Sequence, residues 1–224
     1  KTISIPDDSL GHEFMFNAIR LSSDSKILYA IAAGYLVVMN AEDGTLINTI
    51  DVPVDGLPDL SIDDQDFFLL YSTNRRNGLK MIWYNTKGKI HLEQSKIKEI
   101  TNASVAISHN HAWLAIGTQQ GELWLMQAKG AKVTRKFRLV KEGDVTDVIF
   151  SSDDKYLYAK CSLKTKLIKI NLATGEMTDF PVTSGTYAHA FFTEVPGKAQ
   201  FLSCNQESFS LYNENDGTLL KSYE

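Results

Sequence analysis

The chain has 224 residues, with 43% apolar and 22% charged side chains and a net charge of −4. That is ordinary for a folded domain with a sizeable core, and the absence of a basic excess weighs against nucleic acid as a partner. No apolar run approaches the roughly 20 residues of a membrane helix, because the longest, Ala30 to Met39, is interrupted by Gly34.

In chain order, the first element expected is a strand at Thr2–Ile5, closed by Pro6-Asp7-Asp8. Five similar units follow. Each opens on a short apolar strand: Ala18–Leu21, Leu60–Ile62, Val105–Ile107, Val148–Phe150 and Ala190–Phe192. A polar turn comes next, such as Ser22-Ser23-Asp24-Ser25-Lys26 or Ser151-Ser152-Asp153-Asp154-Lys155. A second apolar strand follows: Ile27–Ile31, Phe67–Tyr71, Trp113–Ile116, Tyr156–Ala159 and Phe201-Leu202.

The third strand ends in a hydrophobic–polar pair: Met39-Asn40, Trp83-Tyr84, Met126-Gln127, Ile170-Asn171 and Tyr212-Asn213. The polar members at 40, 84, 127, 171 and 213 are 44, 43, 44 and 42 residues apart. Gly44, Gly88, Gly175 and Gly217 stand four residues after them, and Gly130 three. Glycine supplies the positive φ of a tight hairpin. A fourth strand, as in Thr45–Ile50 or Val133–Leu139, closes each unit. No segment sustains a helical period.

A repeat of about 43 residues with four strands has the size of a propeller blade. The expectation is an all-β propeller. Its blades run approximately over 12–55, 56–98, 99–141, 142–184 and 185–224, with 1–8 as the last strand of a preceding blade. The match of Thr2–Asp8 to Thr49–Asp55 predicts a piece of a larger ring; the other reading is a five-bladed ring with a spare strand.

The unit resembles the WD40 repeat over essentially the whole chain. The segment Val148-Ile149-Phe150-Ser151-Ser152-Asp153-Asp154-Lys155-Tyr156-Leu157 is the closest match, and Gly11-His12 stands for that family's Gly-His pair. The Trp-Asp pair is degraded, with Trp83 the only tryptophan in place, and no unit supplies all four members of the family's His–Asp–Ser/Thr–Trp network. The resemblance implies the fold and not that network.

No catalytic set is visible. His109 and His111 are two apart but lack further ligands in sequence reach, so no metal or cofactor is expected. Asp63, Asp64, Asp66, Asp153 and Asp154 read as solvated turn residues that bond locally. Cys161 and Cys204 read as small buried thiols.

In the WD40 arrangement, the loops between strands two and three share a face with the loops between blades. That face would carry Arg75, Arg76, Lys164 and Lys166 from the former, and Asp55, Lys98, Lys141 and Glu142 from the latter. His189 is expected near the channel mouth. The function expected is therefore a non-catalytic protein–protein interaction module, a scaffold or sensor in a larger multidomain protein or complex. Its partners would be other proteins or other domains of the same chain, with no membrane, in the cytoplasm. The alternative is a propeller enzyme of the lactonase or quinoprotein-dehydrogenase type, which would need ligands converging on the channel from several blades.

Overall fold

A computed structural model describes residues 16–22, 24–32, 35–51, 57–62, 67–74, 78–85, 90–97, 104–110, 112–128, 132–183, 191–195, 198–204 and 209–223; between 57 and 97 it describes the backbone alone. These residues contain strands and turns and no helix, so none is long and apolar enough to cross a membrane. The chain forms two compact units, Lys1–Thr101 and Asn102–Glu224.

The first unit holds two sheets. One is β1 (Phe16–Leu21), β2 (Ile27–Ala32), β3 (Tyr35–Asn40) and β4 (Leu46–Asp51). The other is β5 (Leu57–Ile62), β6 (Phe67–Asn74), β7 (Gly78–Asn85) and β8 (Ile90–Ile97). The second unit holds three. They are β9 (Ser104–Ile107), β10 (Trp113–Gly117), β11 (Glu122–Gln127) and β12 (Val133–Arg138); β13 (Val145–Phe150), β14 (Tyr156–Cys161), β15 (Lys166–Asn171) and β16 (Met177–Thr183); and β17 (Phe191–Glu194), β18 (Gln200–Cys204), β19 (Phe209–Asn213) and β20 (Leu219–Tyr223). Every sheet is an antiparallel meander in chain order. Within each unit the opening strands of successive sheets are neighbours: β1 with β5, and β9 with β13 with β17.

Two local devices recur, and each explains why the chain turns where it does. At the first hairpin a serine hydroxyl bonds across the turn. Ser22, Ser108 and Ser151 Oγ donate to Asp24, Asn110 and Asp153 at 2.7, 2.9 and 2.7 Å. The same hydroxyls accept the N–H of Ile27, Trp113 and Tyr156, each at 2.9 Å. The turn's own polar groups are thus satisfied as the strands enter the core.

At the third hairpin, asparagine does the equivalent. The main-chain oxygens of Asn40, Asn171 and Asn213 accept from Gly44, Gly175 and Gly217 at 2.9, 2.7 and 2.9 Å. Their side-chain oxygens accept from Glu42, Ala173 and Asn215. The three glycines have φ of 80°, 78° and 73°, where an L side chain is strained. Asparagine at the second position of the pair is therefore a working turn residue. Gly88 and Gly130 lie outside the described residues.

The core of the second unit lies between sheets. Ala106, Ala115, Leu123, Leu125, Phe137 and Leu139 of the β9–β12 layer pack on Val145, Val148, Phe150, Leu157, Ala159, Cys161, Ile168 and Ile170. On the other face of the β13–β16 sheet, Tyr158, Leu167, Phe180 and Val182 pack on Phe201. The rings of Tyr158, Phe180 and Phe201 meet edge to face at 4.5–6.1 Å, an arrangement that suits their quadrupoles.

The apolar strand positions of the repeat predict Trp83, Trp113, Phe150, Leu157, Phe192 and Phe201 in the core, and of these Phe150, Leu157 and Phe201 are fully buried. Trp113 is only half-buried: it opens β10 at the rim of the layer and packs against the cluster from outside. The side chains of Trp83 and Phe192 lie outside the described residues. Trp124, which the repeat comparison passes over, is 6% exposed.

Phe150→Ala should cost ~3–5 kcal/mol, because the inter-sheet cavity has rigid walls. A denaturant titration checks this, and a loss below about 1 kcal/mol would mean that the cluster repacks freely.

Candidate interaction face

In the second unit, three segments meet at one end of the sheets: the β10–β11 turn (118–121), the β12–β13 connection (139–144) and the β14–β15 turn (162–165). Main-chain bonds lock them. Leu139 N–H donates to Gly121 O at 2.9 Å, Val145 N–H to Thr118 O at 2.9 Å, and Ser162 N–H to Asp144 O at 2.9 Å. Asp144 N–H returns a bond to Ser162 Oγ at 3.0 Å. Gly143 has φ +98°, and a Cβ there would stand 2.9 Å from Ser162 Oγ. The close approach of the two segments therefore requires glycine.

This platform presents Lys141 and Glu142 from the connection and Lys164 from the turn, with Lys166 just beyond it at the start of β15; Lys141, Glu142 and Lys166 are exposed. Leu163, between the two groups, is 70% exposed. Lys164 is half-buried, and its Nζ lies 3.1 Å from Asp179 Oδ1 on β16, a contact that the turn's sequence does not announce. Lys164 and Lys166 thus come from one turn and its following strand, and Lys141 from the connection bonded to that turn. Arg75, Arg76, Asp55, Lys98, His111 and His189 lie outside the described residues, as do Asp63, Asp64 and Asp66.

At the other end of the sheets the turns are spent on one another. Asp153 behaves as expected of a solvated turn residue. Lys155 first, then Ser151 and the Lys155 N–H, hold its carboxyl down to about 2. Asp154 does not. Its side chain is 9% exposed, and it accepts the main-chain N–H of His109 and of Asn110, both at 2.8 Å, from the preceding sheet. The expectation of local bonding fails there: Asp154, at φ 56°, gives its carboxylate to the neighbouring turn, whose main-chain N–H groups it satisfies.

Glu214 repeats the arrangement one sheet later. It is 4% exposed and accepts Ser152 N–H and Oγ at 2.8 Å each, while its carbonyl accepts the Tyr158 hydroxyl at 2.9 Å. A cleft of about 540 Å³ opens beside these turns, between Trp113, Leu125 and Arg135 on one side and Asp154, Tyr156 and Leu172 on the other.

The buried reactive groups are quiet. Burial pushes the Cys161 thiol up to about 11, so it is un-ionised at neutral pH and a poor nucleophile. Burial lowers the Lys160 ammonium, opposed by Asp147, which pairs with it across β13 and β14. Among the described residues, no three His, Cys, Asp or Glu side chains gather as a metal site would require. Compared with models of known protein families and with curated proteins, the sequence matches none.

Two outcomes follow. Asp154→Ala should cost ~1–3 kcal/mol, because two turn N–H groups lose a shared acceptor, while Asp153→Ala should cost less. Urea midpoints at pH 7 compare them. For Asp153 the folded pKa lies below the ordinary 3.8, so its contribution is present above about pH 4 and is lost as pH falls toward 2. Asp153→Asn should therefore flatten stability against pH in that window, measured by urea midpoints from pH 2 to 5.

Proposed function

We propose that the chain is a WD40-like β-propeller, or the larger part of one, and acts as a non-catalytic protein–protein interaction module. Five four-stranded meanders with recurring Ser and Asn–Gly turns, the opening strands of successive sheets adjoining within each unit, support the architectural part of this reading. A stacked series of such sheets is a rigid frame, and function concentrates on loops held by one.

The observation that carries the binding reading is the platform of 118–121, 139–144 and 162–165. Its short residues and main chain close the structure, and its long cationic side chains and Leu163 project from it. A partner with an acidic surface and an apolar contact for Leu163 fits it. Exposed charges of this kind act chiefly through association rate and salt dependence.

The test is Lys141→Glu/Lys166→Glu. Both positions are exposed, so unfolding should stay within ±0.5 kcal/mol of the parent. In pull-downs from native lysate, recovery of acidic partners should fall about tenfold at low salt, with the difference narrowing at higher salt. Equal recovery of the same partners at both salt concentrations would exclude this face.

A further inference from the structure

The outer strand β12 carries a charge pattern that no other outer strand shares. Lys132, Arg135, Lys136, Arg138 and Lys141 fall within ten residues that contain no Asp or Glu, in a chain whose net charge is −4. The corresponding strands β4, β8, β16 and β20 hold at most one Lys or Arg each. All five of these cations are exposed.

The strand is terminal in its sheet, and among the described residues no strand pairs with its outer edge. Its hydrogen-bond phase is known from its end: Leu139 N–H donates to Gly121 O. In an antiparallel ladder the bonded residues alternate. The register Leu123↔Phe137 and Trp124↔Lys136 then turns the main-chain groups of Phe137 toward β11 and those of Lys136 and Arg138 toward the open edge.

The cations flank that edge without covering it. Lys136 Nζ sits 3.4 Å above the Trp124 ring. Arg138 is held by Glu122 at 3.3 Å and by Lys141 O at 2.8 Å. Arg135 Nη1 donates to Leu172 O at 2.8 Å, across the cleft that Trp113 and Leu125 also line. Lys136 and Arg138 are thus tied back to their own sheet and Arg135 to the neighbouring one, so none of the three is held over the open edge. Strand β16 is protected differently, by Pro181 within it.

We infer that the open edge of β12 takes up an extended acidic peptide segment as an added antiparallel or parallel strand. Main-chain bonds to Lys136 and Arg138 would supply affinity. Alternate side chains would fall on the two faces: carboxylates toward Lys136 and Arg138, and small apolar groups toward the Trp113–Leu125–Leu172 cleft. This rests on reading the chain as an interaction module, and it names the chemistry of one partner.

The probe is a fluorescein-labelled ten-residue peptide of alternating Glu and Val, followed by anisotropy. Saturable binding is expected at 50 mM salt, weakening at 200 mM. Lys136→Gln/Arg138→Gln should weaken it at least tenfold. So should N-methylation of alternate peptide amides, which removes strand pairing and leaves charge intact; this arm uses the unaltered protein and needs no variant to fold. No saturable binding, or equal affinity for the N-methylated peptide, would overturn the inference. Tighter binding of a single-stranded oligonucleotide that displaces the peptide would overturn it in favour of a nucleic-acid edge. The Lys141→Glu/Lys166→Glu protein separates the two readings: lost lysate partners without peptide binding to the parent would sink the strand-edge inference alone.

Discussion

The β13–β16 sheet is apolar on both faces, and the architecture of the second unit follows from the need to cover both. Strand β14 shows this most directly. Leu157, Ala159 and Cys161 point into one cluster and Tyr158 into the other, all at 1% exposure or less. A four-stranded sheet cannot bury two faces by itself, so it is stable only between two others. The β9–β12 layer supplies one cover, and Phe201 with the β17–β20 layer supplies the other. Burying the polar ends of these strands would be costly unless every turn satisfied its own main chain. That is the work of the serines at the first hairpin and the asparagines at the third.

Much of this was legible in the residues. The spacing of the hydrophobic–polar pairs marks the third strands, and Asn followed four residues later by Gly is a turn with a mechanism. Ser22-x-Asp24 and Ser151-x-Asp153 mark the first hairpins in the same way. What escaped was whatever depends on a second sheet. Asp153 and Asp154 are adjacent and chemically identical, yet one bonds within its turn and the other across to His109 and Asn110. Only the positive φ at 154 and the position of the neighbouring turn separate them, and neither is a local sequence property. The burial of Glu214 against Ser152 depends on a second sheet in the same way.

The candidate site was legible in part. The WD40 resemblance implied that Lys164 and Lys166 share a face with Lys141 and Glu142, and the structure brings their two segments together. The pairing of Lys164 with Asp179 was hidden, because it links the turn to the outer strand over 15 residues. Trp124 was missed because the comparison looked for tryptophan at the end of the third strand. It lies instead two residues earlier than Met126, where its indole N–H donates to Glu122 Oε2 at 3.0 Å. That bond, ahead of Arg138, holds the Glu122 carboxyl below its ordinary range. A tryptophan there supports the outer strand of its sheet, through Lys136 over its ring.

The two ends of the sheets divide their labour by side-chain length. Where Asp154 and Glu214 reach into the next turn, the long polar side chains are consumed in holding one layer to another. Any change of charge there acts on stability. At the opposite end Gly121, Gly143, Ser162 and Thr118 make the joints, with contacts too short to involve the lysines. The cations there are left to the solvent side of a surface whose shape they do not determine. A scaffold can vary such residues from one relative to another without refolding, which is the condition for an adaptable binding face. Strand β12 meets the same condition by another route: Lys136 and Arg138 are anchored by their own sheet and Arg135 by the neighbouring one, so what remains open is the main chain between them. A main-chain edge reads extended backbone and leaves specificity to flanking charge, whereas the loop platform reads shape. The two surfaces share Lys141 and an attraction for acidic groups, so what distinguishes them is geometry: an unpaired main-chain edge in one, and a platform of turns around Leu163 in the other.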